Sequence, residues 1–135
     1  MTTWLVDASV LLSREDADDP NHPDARRLLE GSSPVATLDL AYYEVTNVAI
    51  RRWGDSQAAT RLRGVVAAIE EDGGLIRANE SLLGAAANLA STHGLSGYDA
   101  AYVAAASAAG ARLVSCDVRN LVSVGLAVSP GAVVG

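Results

Sequence analysis

Short apolar runs alternate with longer segments in which apolar residues recur every three or four positions. The short runs favour buried β-strands, at residues 3–6, 33–38, 75–78, 112–115 and 126–128. The periodic segments, several of them closed by glycine, favour helices, at residues 24–30, 39–53, 56–71, 80–92 and 99–109. Because strands and helices alternate, we expect an α/β three-layer sandwich, with a mainly parallel sheet of about four to five strands flanked by helices.

The composition is typical of one folded domain. The chain has 135 residues, of which 50% are hydrophobic and 19% charged, so it can bury one core and is too apolar for disorder. No linker or internal repeat divides it, and a single domain over residues 1–135 is expected. We expect a cytoplasmic protein without membrane segments, since no apolar run approaches the roughly 18 residues of a span and no secretion signal is recognisable. The one cysteine, Cys116, precludes an internal disulfide and suits a reducing compartment.

The charged residues narrow the possible chemistry. The net charge is −6, and all 10 basic residues are arginines. Without lysine, the chain has no phosphate-binding P-loop and no lysine for Schiff-base catalysis. The acidic balance argues against tight non-specific binding of nucleic acid. An enzyme that acts on RNA remains possible, because clustered carboxylates that hold metal ions dominate the charge count of such a site.

Two predicted strands, at residues 3–6 and 112–115, each run directly into an aspartate, Asp7 and Asp117. The carboxyl ends of parallel strands form the ligand crevice of an open α/β sheet, so these aspartates are expected to face each other. Asp99 begins the helix before the second of these strands, and Glu44 lies near the start of another helix. Each acid alone has a simpler explanation: Asp99 as a helix cap, Asp7 and Asp117 as turn residues, and Glu44 as an exposed helical position.

If the acids converge, a divalent cation offsets their mutual repulsion, because no lysine or arginine stands between them. Oxygen ligands select Mg²⁺ or Mn²⁺ over zinc. Two such ions about 3.5–4 Å apart can activate a water and stabilise the leaving oxygen of a phosphodiester. Asn47, one turn after Glu44, is placed to orient a carboxylate or a water, and Ser9 and Ser115 are placed to hydrogen-bond the aspartates.

Four motifs resemble, in order and spacing, those of the PIN-domain ribonucleases, and most closely those of the VapC toxins of bacterial toxin–antitoxin pairs. They are Leu5-Val6-Asp7-Ala8-Ser9, Tyr43-Glu44-Val45-Thr46-Asn47, Tyr98-Asp99-Ala100-Ala101-Tyr102-Val103-Ala104 and Ser115-Cys116-Asp117. The resemblance extends over essentially the whole chain. Two positions depart from the family pattern: Asn120 stands where a leucine is common, and Thr37-Leu38-Asp39 replaces a common proline before the glutamate helix.

The resemblance implies a PIN-like fold and a Mg²⁺- or Mn²⁺-dependent endoribonuclease toxin that cleaves structured RNA such as transfer RNA. Its acidic, metal-binding site would consist of Asp7, Glu44, Asp99 and Asp117. Ser9, Asn47 and Ser115 match supporting polar positions. The resemblance also implies a homodimer and a cognate VapB-type antitoxin, whose C-terminal segment crosses the toxin and places an arginine among the acids.

Two other functions remain open at this level. One is a non-catalytic PIN-like scaffold that binds RNA or protein, against which four intact acids argue. The other is a signalling domain that accepts a phosphoryl group on an aspartate. Such a domain normally reads the phosphate with a lysine, and the chain has none.

Overall fold

The computed structural model of the protein describes residues 2–134. Its centre is a parallel sheet of four strands in the order β3-β2-β1-β4. The strands are β1 (Trp4–Val6), β2 (Val35–Leu38), β3 (Leu75–Ile76) and β4 (Arg112–Val114). The first strand is therefore central, and it lies between β2 and β4.

Helices cover both faces of the sheet. They are α1 (Ala8–Glu15), α2 (His22–Leu29), α3 (Leu40–Asn47), α4 (Ser56–Glu71), α5 (Glu80–His93), α6 (Gly97–Ala109) and α7 (Pro130–Val134). Two π-helical turns complete the fold, at Val48–Arg52 and Val118–Val122. Among residues 2–134, no helix is both long enough and apolar enough to cross a membrane.

Alternation along the strands separates two cores. In β1, Val6 joins the core formed with α1, α2, α3 and α4, whereas Leu5 joins the core formed with α5 and α6. In β4, Val114 and Leu113 divide between the two cores in the same way. Successive side chains of a strand point to opposite faces, so both faces of this sheet are buried. The expected three-layer α/β sandwich is confirmed.

The fifth predicted strand, at residues 126–128, is reduced to a single parallel bridge between Val114 and Val128. The Val128 amide donates to the Leu113 carbonyl at 2.9 Å, and the Ser115 amide donates to the Val128 carbonyl at 3.0 Å. The pairing stops there because Pro130 begins α7, and proline has no amide hydrogen for a ladder.

The predicted helix over residues 39–53 is also divided. After α3 ends at Asn47, the backbone passes into the π-helical turn, where the Trp53 amide donates to the Val48 carbonyl at 3.1 Å. A π-turn holds one more residue than an α-turn and therefore changes which side chains face the core after it. The spacing of apolar residues did not reveal this change.

Candidate active site

Asp7 follows β1 directly and caps the N-terminus of α1. Its Oδ1 accepts hydrogen bonds from the Ser9 amide at 3.0 Å, from the Val10 amide at 3.4 Å and from the Ser9 hydroxyl. The side chain is buried, with 5% of its surface exposed. Burial raises the pKa of Asp7 to about 6; hydrogen bonding from Ser115, Ser9 and Val10 opposes this rise, and the charge of Asp99 adds to it. Asp7 is therefore a desolvated acid whose ionised form a nearby positive charge would stabilise.

Two serine hydroxyls connect the carboxyl ends of β1 and β4. The Ser9 hydroxyl accepts a hydrogen bond from the Cys116 amide at 2.9 Å, and it lies 3.4 Å from the Ser115 hydroxyl. The Ser115 hydroxyl in turn accepts from the Asp117 amide at 3.0 Å. These bonds fix the segment after β4 against the start of α1, and so fix where Asp117 stands relative to Asp7.

Asp117 is held by Asn120, the residue that departs from the family pattern. The Asn120 amide donates to Oδ1 of Asp117 at 3.0 Å, and the Asn120 side-chain amide donates to Oδ2 at 3.1 Å. Asp117 thereby caps the π-helical turn that begins at Val118. Both carboxylate oxygens are engaged, which restricts the orientation of this acid at the rim of the site.

Asp99 lies in the first turn of α6 but does not cap that helix. The cap is Ser96, whose hydroxyl accepts from the Asp99 amide at 3.0 Å. The interpretation of Asp99 as a helix cap is therefore wrong. Its carboxylate is half-buried; burial raises the pKa of Asp99, and the charge of Asp117 raises it further.

Glu44 lies on α3 and is half-buried. Its Oε1 accepts a 2.7 Å hydrogen bond from the Tyr102 hydroxyl. Burial raises the pKa of Glu44, and the charge of Asp99 adds to this rise. Tyr102 has 2% of its surface exposed. Its pKa lies far above its ordinary value, because burial and the charge of Glu44 both disfavour a phenolate.

Asn47, which the sequence suggested as a supporting residue for the acids, lies outside their cluster. It is exposed and lines a groove with Tyr43 and Ile50, whereas the Glu44 carboxylate is turned toward Tyr102. The two residues are three apart on one helix, yet Asn47 borders the groove and Glu44 faces Tyr102.

Tyr102 was not identified as a functional residue from the sequence. The available signal was an aromatic residue three positions after Asp99 in a run of alanines, where residues three apart are neighbours on a helix.

The four acids share one electrostatic neighbourhood, with Asp99 at its centre. The charge of Asp99 raises the pKa of both Asp7 and Glu44, and the charge of Asp117 raises the pKa of Asp99. Within residues 2–134, the salt bridges engage other acids, namely Glu15, Asp24, Glu30 and Glu70. The cluster therefore carries negative charge that no arginine neutralises in the described part of the chain.

The donor chemistry of this cluster fits a hard divalent cation. All the candidate ligands are carboxylate oxygens, the type that Mg²⁺ and Mn²⁺ prefer. The raised pKa values of Asp7, Glu44 and Asp99 indicate that no nearby positive charge stabilises their ionised forms. In the described residues, no three acidic, histidine or cysteine side chains are arranged closely enough to hold an ion as they stand. The acids thus share an electrostatic field but do not form a complete coordination sphere.

Fold and site together define an α/β protein with an acidic cluster at the carboxyl edge of a parallel sheet, where such folds bind their ligands. The family model of the PIN domain matches residues 4–125. The chain therefore belongs to the PIN-domain family. No curated protein sequence matches it.

Several solved structures share this fold. A toxin–antitoxin complex from Klebsiella pneumoniae superposes with a TM-score of 0.73 at 18% identity, covering 93% of this chain and 96% of that one. VapC20 of Mycobacterium tuberculosis, described as a sarcin–ricin loop cleaving toxin, gives 0.73 at 24%, covering 90% and 95%. DNA-bound VapBC from Salmonella typhimurium gives 0.63 at 14%, covering 96% and 97%. At these identities the likeness establishes a common fold.

Proposed function

We propose that this PIN domain is a Mg²⁺- or Mn²⁺-dependent endoribonuclease and acts as the toxin of a toxin–antitoxin pair. The observation that carries the proposal is the uncompensated cluster of Asp7, Glu44, Asp99 and Asp117 at the carboxyl edge of the sheet. The capping bonds of Asp7 and Asp117 do not require carboxylates, because asparagine caps equally well and carries no charge to repel the other acids. Binding a cation removes that repulsion and brings positive charge to a place where RNA phosphate can reach it.

The residues that would hold the cation are Asp7, Glu44, Asp99 and Asp117. A divalent cation, when bound, supplies charge that stabilises a phosphodiester transition state and lowers the pKa of water. Asp7 is preorganised for this role, because the Ser9 amide and hydroxyl fix its Oδ1. With a pKa of about 6, Asp7 also exchanges a proton near neutral pH, so cation binding is coupled to proton release.

Glu44 is placed differently from the three aspartates. Its Oε1 is tied to the Tyr102 hydroxyl at 2.7 Å, and its Oε2 stands outside that hydrogen bond. Burial and the Asp99 charge raise the pKa of Glu44, so a nearby cation would stabilise its ionised form. We therefore propose Oε2 as the Glu44 oxygen that would face the cation.

The partners proposed are an antitoxin of the VapB type, a structured RNA and a second copy of the chain. The fold is shared with proteins described as toxin–antitoxin complexes and with a toxin described as cleaving the sarcin–ricin loop. The surface offers exposed apolar side chains for such partners, at Tyr43, Ile50, Leu83 and Tyr98. Tyr43 and Tyr98 line the same groove, and each directly precedes an acid of the cluster in the sequence, Glu44 and Asp99.

The direct test is cleavage of structured RNA by the purified chain with Mg²⁺ or Mn²⁺, with and without a chelator. We expect cleavage that stops in chelator and falls by at least about 100-fold in Asp7→Asn, since the loss of an essential charged ligand removes several kcal/mol of transition-state stabilisation. Asp18→Asn is the matched control, because Asp18 is an exposed acid outside the cluster. Cleavage that persists in chelator, or that Asp7→Asn leaves intact, contradicts the proposal. RNA binding without cleavage would favour a non-catalytic scaffold.

A further inference from the structure

Among residues 2–134, two hydrogen bonds run from a tyrosine hydroxyl to a glutamate, and they lie in contrasting environments. Tyr42 donates to Oε1 of Glu70 at 2.6 Å, and Arg77 reaches Oε2 of the same glutamate, also at 2.6 Å. That pair lies near the surface and carries its own counter-charge. Tyr102 donates to Oε1 of Glu44 at 2.7 Å, and no arginine of the described residues bridges to Glu44.

Tyr102 lies directly behind the acidic cluster. It follows Asp99 by three positions on α6, so the two side chains are neighbours on one face of that helix. The residues around it on the buried side of α6 are alanines, at positions 100, 101, 104, 105 and 106. Tyr102 is thus a large side chain among small ones on this face of α6. Its hydroxyl reaches across to Glu44 on α3.

This geometry constrains the Glu44 carboxylate. A buried tyrosine hydroxyl requires a partner, and a neutral phenol offers one hydrogen to donate. Because the ring is packed on all sides, with 2% of Tyr102 exposed, the hydroxyl is fixed in space. The hydrogen bond therefore holds Oε1 of Glu44 in place and restricts the positions open to Oε2.

We propose that Tyr102 is a positioning residue of the acidic cluster, which holds the Glu44 carboxylate in the orientation that binds a divalent cation. The inference rests on the proposed function, because it concerns the same cluster. Groups that orient metal ligands from behind typically change metal affinity by about 10- to 100-fold when they are removed. Tyr102→Phe removes only the hydroxyl oxygen and keeps the shape of the ring.

The experiment is isothermal titration calorimetry of Mn²⁺ into the metal-free full chain. We expect Tyr102→Phe to bind Mn²⁺ about 10-fold more weakly than the wild type, while the matched control Tyr42→Phe keeps wild-type affinity. In a Glu44→Ala background, adding Tyr102→Phe should change the affinity no further, because the hydroxyl acts through Glu44. Circular dichroism establishes that each variant is folded before titration.

The outcomes separate this inference from the proposed function. If the wild type binds Mn²⁺ and cleaves RNA but Tyr102→Phe binds equally well, the inference is overturned and the proposed function stands. It is also overturned if Tyr102→Phe weakens binding as much without Glu44 as with it, or if Tyr42→Phe gives the same loss. A wild type that neither binds Mn²⁺ nor cleaves RNA overturns both. If Tyr102→Phe does not fold, Glu44→Asp, which retracts the carboxylate from Tyr102, must weaken Mn²⁺ binding at least about 10-fold; unchanged affinity overturns the inference.

Discussion

The Ser9 hydroxyl accepts a 2.9 Å hydrogen bond from the amide of Cys116, a residue 107 positions further along the chain. The same hydroxyl donates to Oδ1 of Asp7. One small side chain thus joins the ends of the neighbouring strands β1 and β4 and orients the most deeply buried acid of the cluster. The position of this acid depends on a long-range contact as well as on local sequence.

Replacing Ser9 with alanine tests this connection. Ser9→Ala removes the hydrogen-bond partner of the Cys116 amide and one of the hydrogen bonds to Oδ1 of Asp7. The free energy of unfolding should therefore fall by about 1–3 kcal/mol. The pKa of Asp7 should rise above about 6, because hydrogen bonding from Ser9 opposes the effect of burial. Chemical denaturation measures the stability, and carboxyl NMR titration measures the pKa. Ser9→Thr keeps the hydroxyl, so a comparable loss in that variant would contradict the assigned role.

The burial of Asp7 predicts that the metal-free protein carries a stability penalty near neutral pH. The pKa of Asp7 is raised from 3.8 to about 6 in the fold, and a shift of this size corresponds to about 3 kcal/mol. Asp7→Asn should therefore be more stable than the wild type at pH 7.5 when both are free of metal. Asparagine is also an effective helix cap, so the capping of α1 is retained. Asp18→Asn should have no such effect. A lower melting temperature for every asparagine variant of the cluster would count against clustering.

The raised pKa of Asp7 also determines how the stability of the fold changes with pH. Between pH 3.8 and about 6 the unfolded chain has lost the Asp7 proton while the folded chain keeps it. The contribution of Asp7 to stability therefore decreases as the pH rises through this window and stays constant above it. The stability difference between Asp7→Asn and the wild type should be small below pH 4, grow toward pH 6 and then level off. A difference that is independent of pH, measured by denaturation in chelator, would show that Asp7 is not desolvated.

Asn120 is expected to hold Asp117 in place. Its side-chain amide donates to Oδ2 at 3.1 Å, while the backbone bond to Oδ1 does not depend on the side chain. Asn120→Ala should therefore cost only about 0.5–1 kcal/mol of stability but weaken Mn²⁺ binding by about 10-fold. Asn88→Ala, at an exposed position of α5, is the control for calorimetry. Unchanged Mn²⁺ affinity in Asn120→Ala would mean that the orientation of Asp117 does not matter for the cation.

The sequence was sufficient for the features that local chemistry determines. Asp7 and Asp117 could be assigned to one edge of the sheet, because each follows an apolar run and parallel strands end together. The structure pairs those strands directly, with Leu5 opposite Leu113. The helices predicted at residues 56–71 and 80–92 are likewise present as α4 and α5, and the side chains of Asp55 and Asn79 cap them by accepting hydrogen bonds from backbone amides of their own helices.

What the sequence did not reveal depends on contacts between distant residues. The partner of Tyr102 is 58 positions away on another helix, and no local pattern identifies it. The direction of Asn47 depends on how α3 is rotated against the sheet, which spacing alone leaves open. The segment at residues 126–128 had the composition of a strand, but the helix that begins at Pro130 limits its pairing to one bridge.

The central claim is that acids from different elements jointly bind a divalent cation. Asp99 is the acid whose charge interacts with each of the other three. The most direct measurement is the melting temperature of the metal-free protein as Mn²⁺ is added, for the wild type and for Asp99→Asn. A ligand that binds only the folded state raises its stability by about 2.7 kcal/mol at 100 times the dissociation constant, so the wild-type melting temperature should rise by several degrees while that of Asp99→Asn stays nearly constant. A wild type that does not respond to Mn²⁺, or an Asp99→Asn variant that responds equally, would contradict the account.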